Sequence, residues 1–282
     1  MRQGYVSGVN EYLIKSCAGT SVGRAYLDRG GLLNDRKFVV TDEDNVFLSQ
    51  RDLPRMAMIR PRLSVVPGLP LYEEGELLVS APDMPELRIW FSPKDEFGAE
   101  EDVQIQNDWC LAIEQSGKAG EWFSRFLETP CKLFRVVQDG RVHRYSATGE
   151  ALSVYGQDGY PVLIIGQASL DDLNSRMIKS LPMHRFRPNI VVSGVPSYAE
   201  DTWKRIRIGR VEIRLVKPCQ RCPIPTTNQD TGERGENPWD EEPLRTLLTY
   251  RQVSGGGVIF GVNGINDNSD WINLGDTVEI LE

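Results

Sequence analysis

Histidine is nearly absent from this 282-residue sequence: His143 and His184 are the only two. A three-histidine zinc or copper centre is therefore excluded, as is the HExxH helix of a metalloprotease. Any metal would need thiolate, carboxylate or a ligand that arrives with a cofactor. Cysteine is scarce and odd in number (Cys17, Cys110, Cys131, Cys219 and Cys222), which argues against a disulfide scaffold in a chain of this size. No basic stretch followed by a long apolar run opens the sequence, so neither a signal peptide nor a membrane anchor is expected, and the cytoplasm is the expected location. Internal repeats and low-complexity linkers are missing too. No helix-turn-helix, zinc-finger or ribonucleoprotein motif occurs, and with a net charge of −8 this argues against nucleic-acid binding.

What is present is the composition of a soluble globular protein, 40% hydrophobic and 26% charged, long enough for one large domain or two of ordinary size. The charge is unevenly spread. Residues 69–108 hold eleven acids against Arg88 and Lys94, a balance of −9, while residues 176–221 hold eleven Lys or Arg against Glu200, Asp201 and Glu212, a balance of +8. Such asymmetry can draw an anionic ligand to one region of an acidic molecule, although a solvated basic face on strands would look the same.

Short runs rich in β-branched and aromatic residues, bounded by Gly, Pro or Asp, predict strands at 36–41, 46–50, 59–66, 76–80, 87–91 and 132–137. In the second half they fall at 162–165, 189–193, 204–208, 210–216, 258–260 and 277–281, and the opening residues also read as strands. Apolar residues alternate with charged ones on both sides of Gly209, which predicts a hairpin with one solvated face. Helices are expected at 119–128, with Trp122, Phe123, Phe126 and Leu127 on one face, after a Ser169 cap with Leu170, Leu173 and Met177 in a stripe, and at 240–250. The reading is mainly β with some α (α+β): two β-barrel domains with flanking helices, 1–130 and 131–282, and a compositional break at 81–108.

The sharpest local feature is Lys217-Pro218-Cys219-Gln220-Arg221-Cys222-Pro223. A CxxC pair can be half a zinc site, a redox dithiol, one reactive thiolate beside a bystander, or two ordinary loop cysteines. Zinc lacks a second pair here, and Pro223 and Pro225 deny the motif the helix a thioredoxin-like dithiol would open. Arg214, Lys217 and Arg221 would favour a thiolate that ligates a soft metal or attacks an electrophile. Arg187 and Asn189, flanking Pro188 at a strand entrance, could fix an anion, as could Lys15 and Ser16 at a strand end. The Gly255-Gly256-Gly257 run reads as a flexible hairpin connection rather than a phosphate cradle.

Five stretches in order, YLIKSC, DRKFVVTDEDNVFLSQRDLPRMA, DGYPVLIIGQASLDDLNSR, FRPNIVVSG and KPCQRCPIPTTNQDTG, resemble the MOSC (molybdenum-cofactor sulfurase C-terminal) superfamily. The resemblance is to members with a MOSC N-terminal β-barrel domain, such as the bacterial YcbX group and the mitochondrial amidoxime-reducing component. It implies a molybdenum cofactor (molybdopterin with Mo) in a cleft between two domains, with Cys219 as the metal ligand. Motif by motif it implies cofactor contacts at Lys15, Ser16, Arg36, Arg187 and Asn189, and a loop shaped by Thr226 and Thr227. Phe260-Gly261-Val262-Asn263 differs from the FGQ that many relatives show at the substrate-side wall, and Asn263 would be a further cofactor contact there. Asp158 aligns with an acid near the metal and would be the proton donor, unless it is merely an Asp-Gly turn residue. The implied activity is reduction of small N-hydroxylated substrates with no membrane or nucleic-acid partner; the alternative is a carrier of cofactor or sulfur. With no C-x₄-C-x₂-C cluster in the chain, electrons would come from an external electron-transfer protein of ferredoxin, flavoprotein or cytochrome type. At superfamily level alone the resemblance also brings pyridoxal phosphate binding.

Overall fold

The computed structural model describes residues 3–65, 75–91, 100–137, 139–145 and 147–282. Its centre is a closed barrel of seven strands. Around the barrel run Ile190–Ser193, Val162–Gly166, Ile259–Asn266, Val211–Gln220, Arg205–Ile208, Thr277–Ile280 and Gln3–Glu11, which returns to pair with Ile190–Ser193. All contacts are antiparallel except that of Val162–Gly166 with Ile190–Ser193. Inward-facing Val6, Val9, Ile164, Ile190, Val192, Ile206, Ile213 and Val278 fill the interior. Full closure leaves these strands no free edge.

While Arg24–Asp28 and Gly31–Leu32 form a sheet with Asp270–Asn273, most strands of the N-terminal half lie in two others. Phe38–Thr41, Lys132–Val136, Asp108–Glu114 and Glu100–Ile105 form one, and Arg60–Val65, Gly75–Ser80 and Leu87–Phe91 the other. Helix α1 (Gly117–Leu127) buries Trp122, Phe123, Phe126 and Leu127 against Phe38, Val40, Leu77, Val79, Ile89 and Phe91. A cut at residue 130 divides the sequence but not the sheets. Gln3–Glu11 is a stave of the C-terminal barrel, and Lys132–Val136 pairs with Phe38–Thr41 and Asp108–Glu114.

Several elements depart from the sequence reading. The compositional break at 81–108 holds strands, because the acids of Glu100–Ile105 lie towards solvent while Val103 and Ile105 are buried. Parts of the acidic stretch (69–74 and 92–99) and the end of the 59–66 strand lie outside the described residues. Instead of a 46–50 strand there are isolated bridges at Val46 and Phe47. The strand expected at 258–260 runs on to Asn266; Gly261, at φ 78, sits where an added Cβ would lie 2.6 Å from Ile165, so only glycine fits. Ser169 is not a cap: α2 (Gln167–Ser175) begins earlier, and the buried Ser169 hydroxyl donates to Glu200. The last helix shrinks to α3 (Leu244–Leu248), since Pro238 and Pro243 interrupt the hydrogen-bond ladder before it. The Gly209 hairpin forms as read, pairing Ile206 with Ile213. Among the described residues no helix is long and apolar enough to cross a membrane.

Candidate functional site

A cleft of about 340 Å³ opens at one end of the barrel, where the two halves meet. Lys15 and Ser16 reach it as the chain leaves the opening strand, and Arg36 and Arg51 come from the N-terminal half. The C-terminal half supplies Asp158, Arg187, Asn189, Asn263 and residues 217–222, whose first four, Cys219 included, are the irregular far end of the Val211–Gln220 strand rather than a loop. Eight of the ten expected residues thus meet in one cavity. Thr226 and Thr227 do not line it: Thr226 Oγ1 donates to Pro223 O at 2.7 Å, and Thr227 is fully buried behind the loop with its hydroxyl unpartnered.

Among the described residues the wall carries six cations (Lys15, Arg36, Arg51, Arg187, Lys217, Arg221) and a single acid, Asp158. Lys15 is buried, bonded to Asp158 and to Gly156 O at 2.8 Å. Burial draws its ammonium down to about 8, against the pull of Asp158. For Asp158, burial alone would raise the carboxyl, but Lys15 and Arg51 outweigh it and hold it well below the usual carboxylate range.

Opposite lies a second cationic group. Arg36 and Arg187 both lie over the Tyr12 ring, 4.7 and 4.2 Å from its centre. Arg36 pairs with Asp35, whereas Arg187 donates from Nη1 to Cys17 O at 2.6 Å and leaves Nη2 buried without a partner. Burial and the neighbouring Arg36 push Arg187 down to about 10. An orphaned buried donor costs on the order of 1–3 kcal/mol, which an anionic ligand would recover. Ser16, Arg36 and Arg187 all sit at positive φ (66, 55 and 56), unusual for side-chain-bearing residues and a form of strain that gathers at binding sites. Asn189 is engaged at both ends, accepting from Leu163 N at 3.1 Å and donating to Asn10 O at 3.4 Å, so it ties the cleft floor together.

Cys219 and Cys222 are half-buried in the cleft, while Cys17, Cys110 and Cys131 are buried elsewhere in the cores. Burial pushes those three thiols up, Cys17 to about 12 and the others to about 11. Arg221 donates to Cys219 Sγ at 3.2 Å and to Phe186 O at 2.7 Å. Arg214, expected beside the thiol, points elsewhere, to Glu150 and Asp267, because it alternates onto the outer face of its strand. Among the described residues no group of three or more His, Cys, Asp or Glu gathers as a metal cage.

Sequence reasoning missed Arg51, which reaches Asp158 at 2.7 Å and also meets the Cys222 thiol. Its backbone is clamped: Arg234 donates to the Gln50 and Arg51 carbonyls, and Gln50 exchanges bonds with Gln229. It missed Arg141 too, a fully buried guanidinium that holds the backbone before Asp158. No local pattern marks either residue.

Two family models cover most of the chain, the MOSC N-terminal beta barrel domain at residues 3–130 and the MOSC domain at 151–279. The human mitochondrial amidoxime reducing component 2 is 34% identical over 256 residues, covering 85% of this chain and 70% of that protein. The chain belongs to the MOSC family. Among its MOSC relatives, zebrafish (Danio rerio) mitochondrial amidoxime-reducing component 1 is 32% identical over 265 residues, covering 89% of this chain and 76% of its own length. A molybdenum cofactor sulfurase of tomato (Solanum lycopersicum) is 30% identical over 301 residues, which is 97% of this chain but 35% of that protein.

Proposed function

We propose that this MOSC protein holds a molybdenum cofactor in the cleft and reduces N-hydroxylated compounds with electrons from a separate redox protein. The observation that carries the reading is the Cys219 thiol, half-buried in the cleft with Cys222, facing a wall of six cations with an unpartnered buried donor on Arg187. When bound, the cofactor supplies the two-electron chemistry and its own sulfur ligands, so one protein thiolate is enough. Cys219 would bind the metal, with Arg221 held against its sulfur at 3.2 Å. Arg36, Arg187, Lys15 and Ser16 would hold the anionic end, and Thr226 and Thr227 would set the loop from behind. Asn263, half-buried beside Lys217 and Leu163, would face the substrate. Lys15 and Arg51 hold Asp158 ionised while they pair with it; once an anion takes those donors, its carboxyl would regain an ordinary affinity for a proton and would be the proton donor to a departing oxygen. The names of the amidoxime reducing components support this choice of reaction.

The test is production in a host that makes the cofactor, followed by molybdenum analysis and viologen-driven reduction of an N-hydroxy compound. Metal-free protein, or a Cys219→Ala variant with full activity, overturns the proposal. The match to a molybdenum cofactor sulfurase over nearly the whole chain supports a second reading, a carrier of cofactor or sulfur. That reading predicts loaded protein without turnover, or a persulfide on Cys219 seen by mass spectrometry.

A further inference from the structure

Among the described residues Asp158 is the one acid on a wall of six cations. Its carboxylate accepts from three separate stretches of the N-terminal half: Lys15 Nζ, Arg51 Nη2 at 2.7 Å and Gln106 Nε2 at 3.0 Å. An anion entering from that side would need the same donors. The backbone below is pinned. Arg141 donates to the Tyr155 and Gln157 carbonyls at 2.9 and 2.5 Å, and is itself held by Asp108 at 2.8 Å. The Gln157 amide reaches the Gly30 and Asp35 carbonyls at 3.2 Å. The Asp158 side chain, by contrast, is 47% exposed, and a Cβ added at Gly159 would meet nothing within 4 Å. The carboxylate can therefore swing while its loop stays in place, because the Asp158 side of the pair is open to water even though Lys15 is buried.

We propose that Asp158 is a built-in counter-anion: it neutralises Lys15 and Arg51 until a phosphate-bearing ligand takes its place, and then turns to solvent. Without it, two like charges would face each other across the empty side of the cleft. With it, they are kept in register for the ligand. The inference rests on reading the cleft as an anion site, but not on the metal chemistry.

Inorganic phosphate titrated into the metal-free protein tests it by calorimetry. Removing an internal competitor that occupies the donors most of the time should tighten binding, so Asp158→Asn is expected to bind phosphate about tenfold more strongly than wild type. Asp158→Glu, which keeps the charge, should stay near wild type, and Arg51→Ala should bind more weakly. Folded Asp158→Asn with unchanged or weaker phosphate binding overturns the proposal. Should that variant not fold, a wild-type structure determined in phosphate decides: the anion must be seen on Lys15 and Arg51 with Asp158 turned away, and intact Asp158 pairs beside bound phosphate overturn it. The same titration on molybdenum-loaded protein separates the sources. Loss of phosphate binding on loading assigns the place to the cofactor's own phosphate, and retained binding assigns it to an anionic group on the substrate. Tighter phosphate binding by Asp158→Asn in a protein that never takes up molybdenum keeps the counter-anion and overturns the proposed function instead.

Discussion

The basic stretch 176–221 supplies arginines to two places that behave differently. On the outside of the barrel, Arg205, Arg207 and Arg214 each meet a carboxylate: Glu212 at 3.1 Å, Glu279 at 2.5 Å, and Glu150 and Asp267 at 3.0 and 2.6 Å. On the cleft wall, Arg187, Lys217 and Arg221 form no ion pair among the described residues, and Arg187 and Arg221 each keep a buried nitrogen without a partner. Charge density is the same in sequence; the pairing is what separates a solvated face from a ligand wall. The outer face is neutralised where it stands, and the cleft is left positive for something that arrives.

Substitutions in four places would break or sharpen that contrast. The largest effect is expected at Cys219. Its replacement by alanine should lower molybdenum content and N-hydroxy reduction by more than about 100-fold, the upper end of what loss of an outer-shell partner costs, whereas Cys222→Ala should fall within that range. Arg187→Met comes next. It should weaken an anionic ligand by roughly 2–5 kcal/mol in a calorimetric titration, yet leave the melting temperature of ligand-free protein unchanged or higher, because an unsatisfied buried cation is removed. A lower melting temperature together with unaltered binding would place Arg187 with the outer arginines.

Glu11, at the end of the opening strand beside the cleft floor, extends the contrast to pH. Burial and the nearby Asp35 raise its carboxyl from 4.5 to about 7. Between those values the folded protein keeps a proton that the unfolded chain has released. The stabilisation is therefore complete below 4.5 and is lost as pH rises through 7. Glu11→Gln should abolish that decline and stabilise the protein at pH 8 by roughly 2–3 kcal/mol, read from denaturant curves across pH. The smallest effect belongs to the outer face: Arg205→Ala or Arg207→Ala should change stability by no more than about 1 kcal/mol and leave ligand binding untouched.

How much of this was visible beforehand depended on distance along the chain. The 217–223 motif was legible because thiol spacing, prolines and cations coincide locally, and the Gly209 hairpin because alternation survives on both strands. Helix α1 announced itself through four large apolar residues on one face. Arg51 and Arg141 were invisible, since each matters only through a partner brought from far along the chain by folding. The Gly261–Asn266 half of a strand was hidden by its own composition, glycine and asparagine being poor strand formers outside the close packing seen here. The carboxylate state of Asp158 was likewise unreadable, because it is fixed by two cations from the other half.

The opening strand closes the barrel by pairing Tyr5 with Ser193 on one side and with Thr277 on the other. A ribosome therefore delivers the first stave of the barrel long before either of its neighbours exists. Gln3–Glu11, half apolar and paired locally only where Asn10 and Glu11 meet Thr20–Ser21, must wait for its barrel partners until nearly the whole chain has been made, and non-local closure of this kind is slow. The Lys15–Ser16 corner follows that strand within a few residues and is held by Phe38 and Gly156, so the piece of the anion wall nearest the start of the chain is fixed by segments made much later.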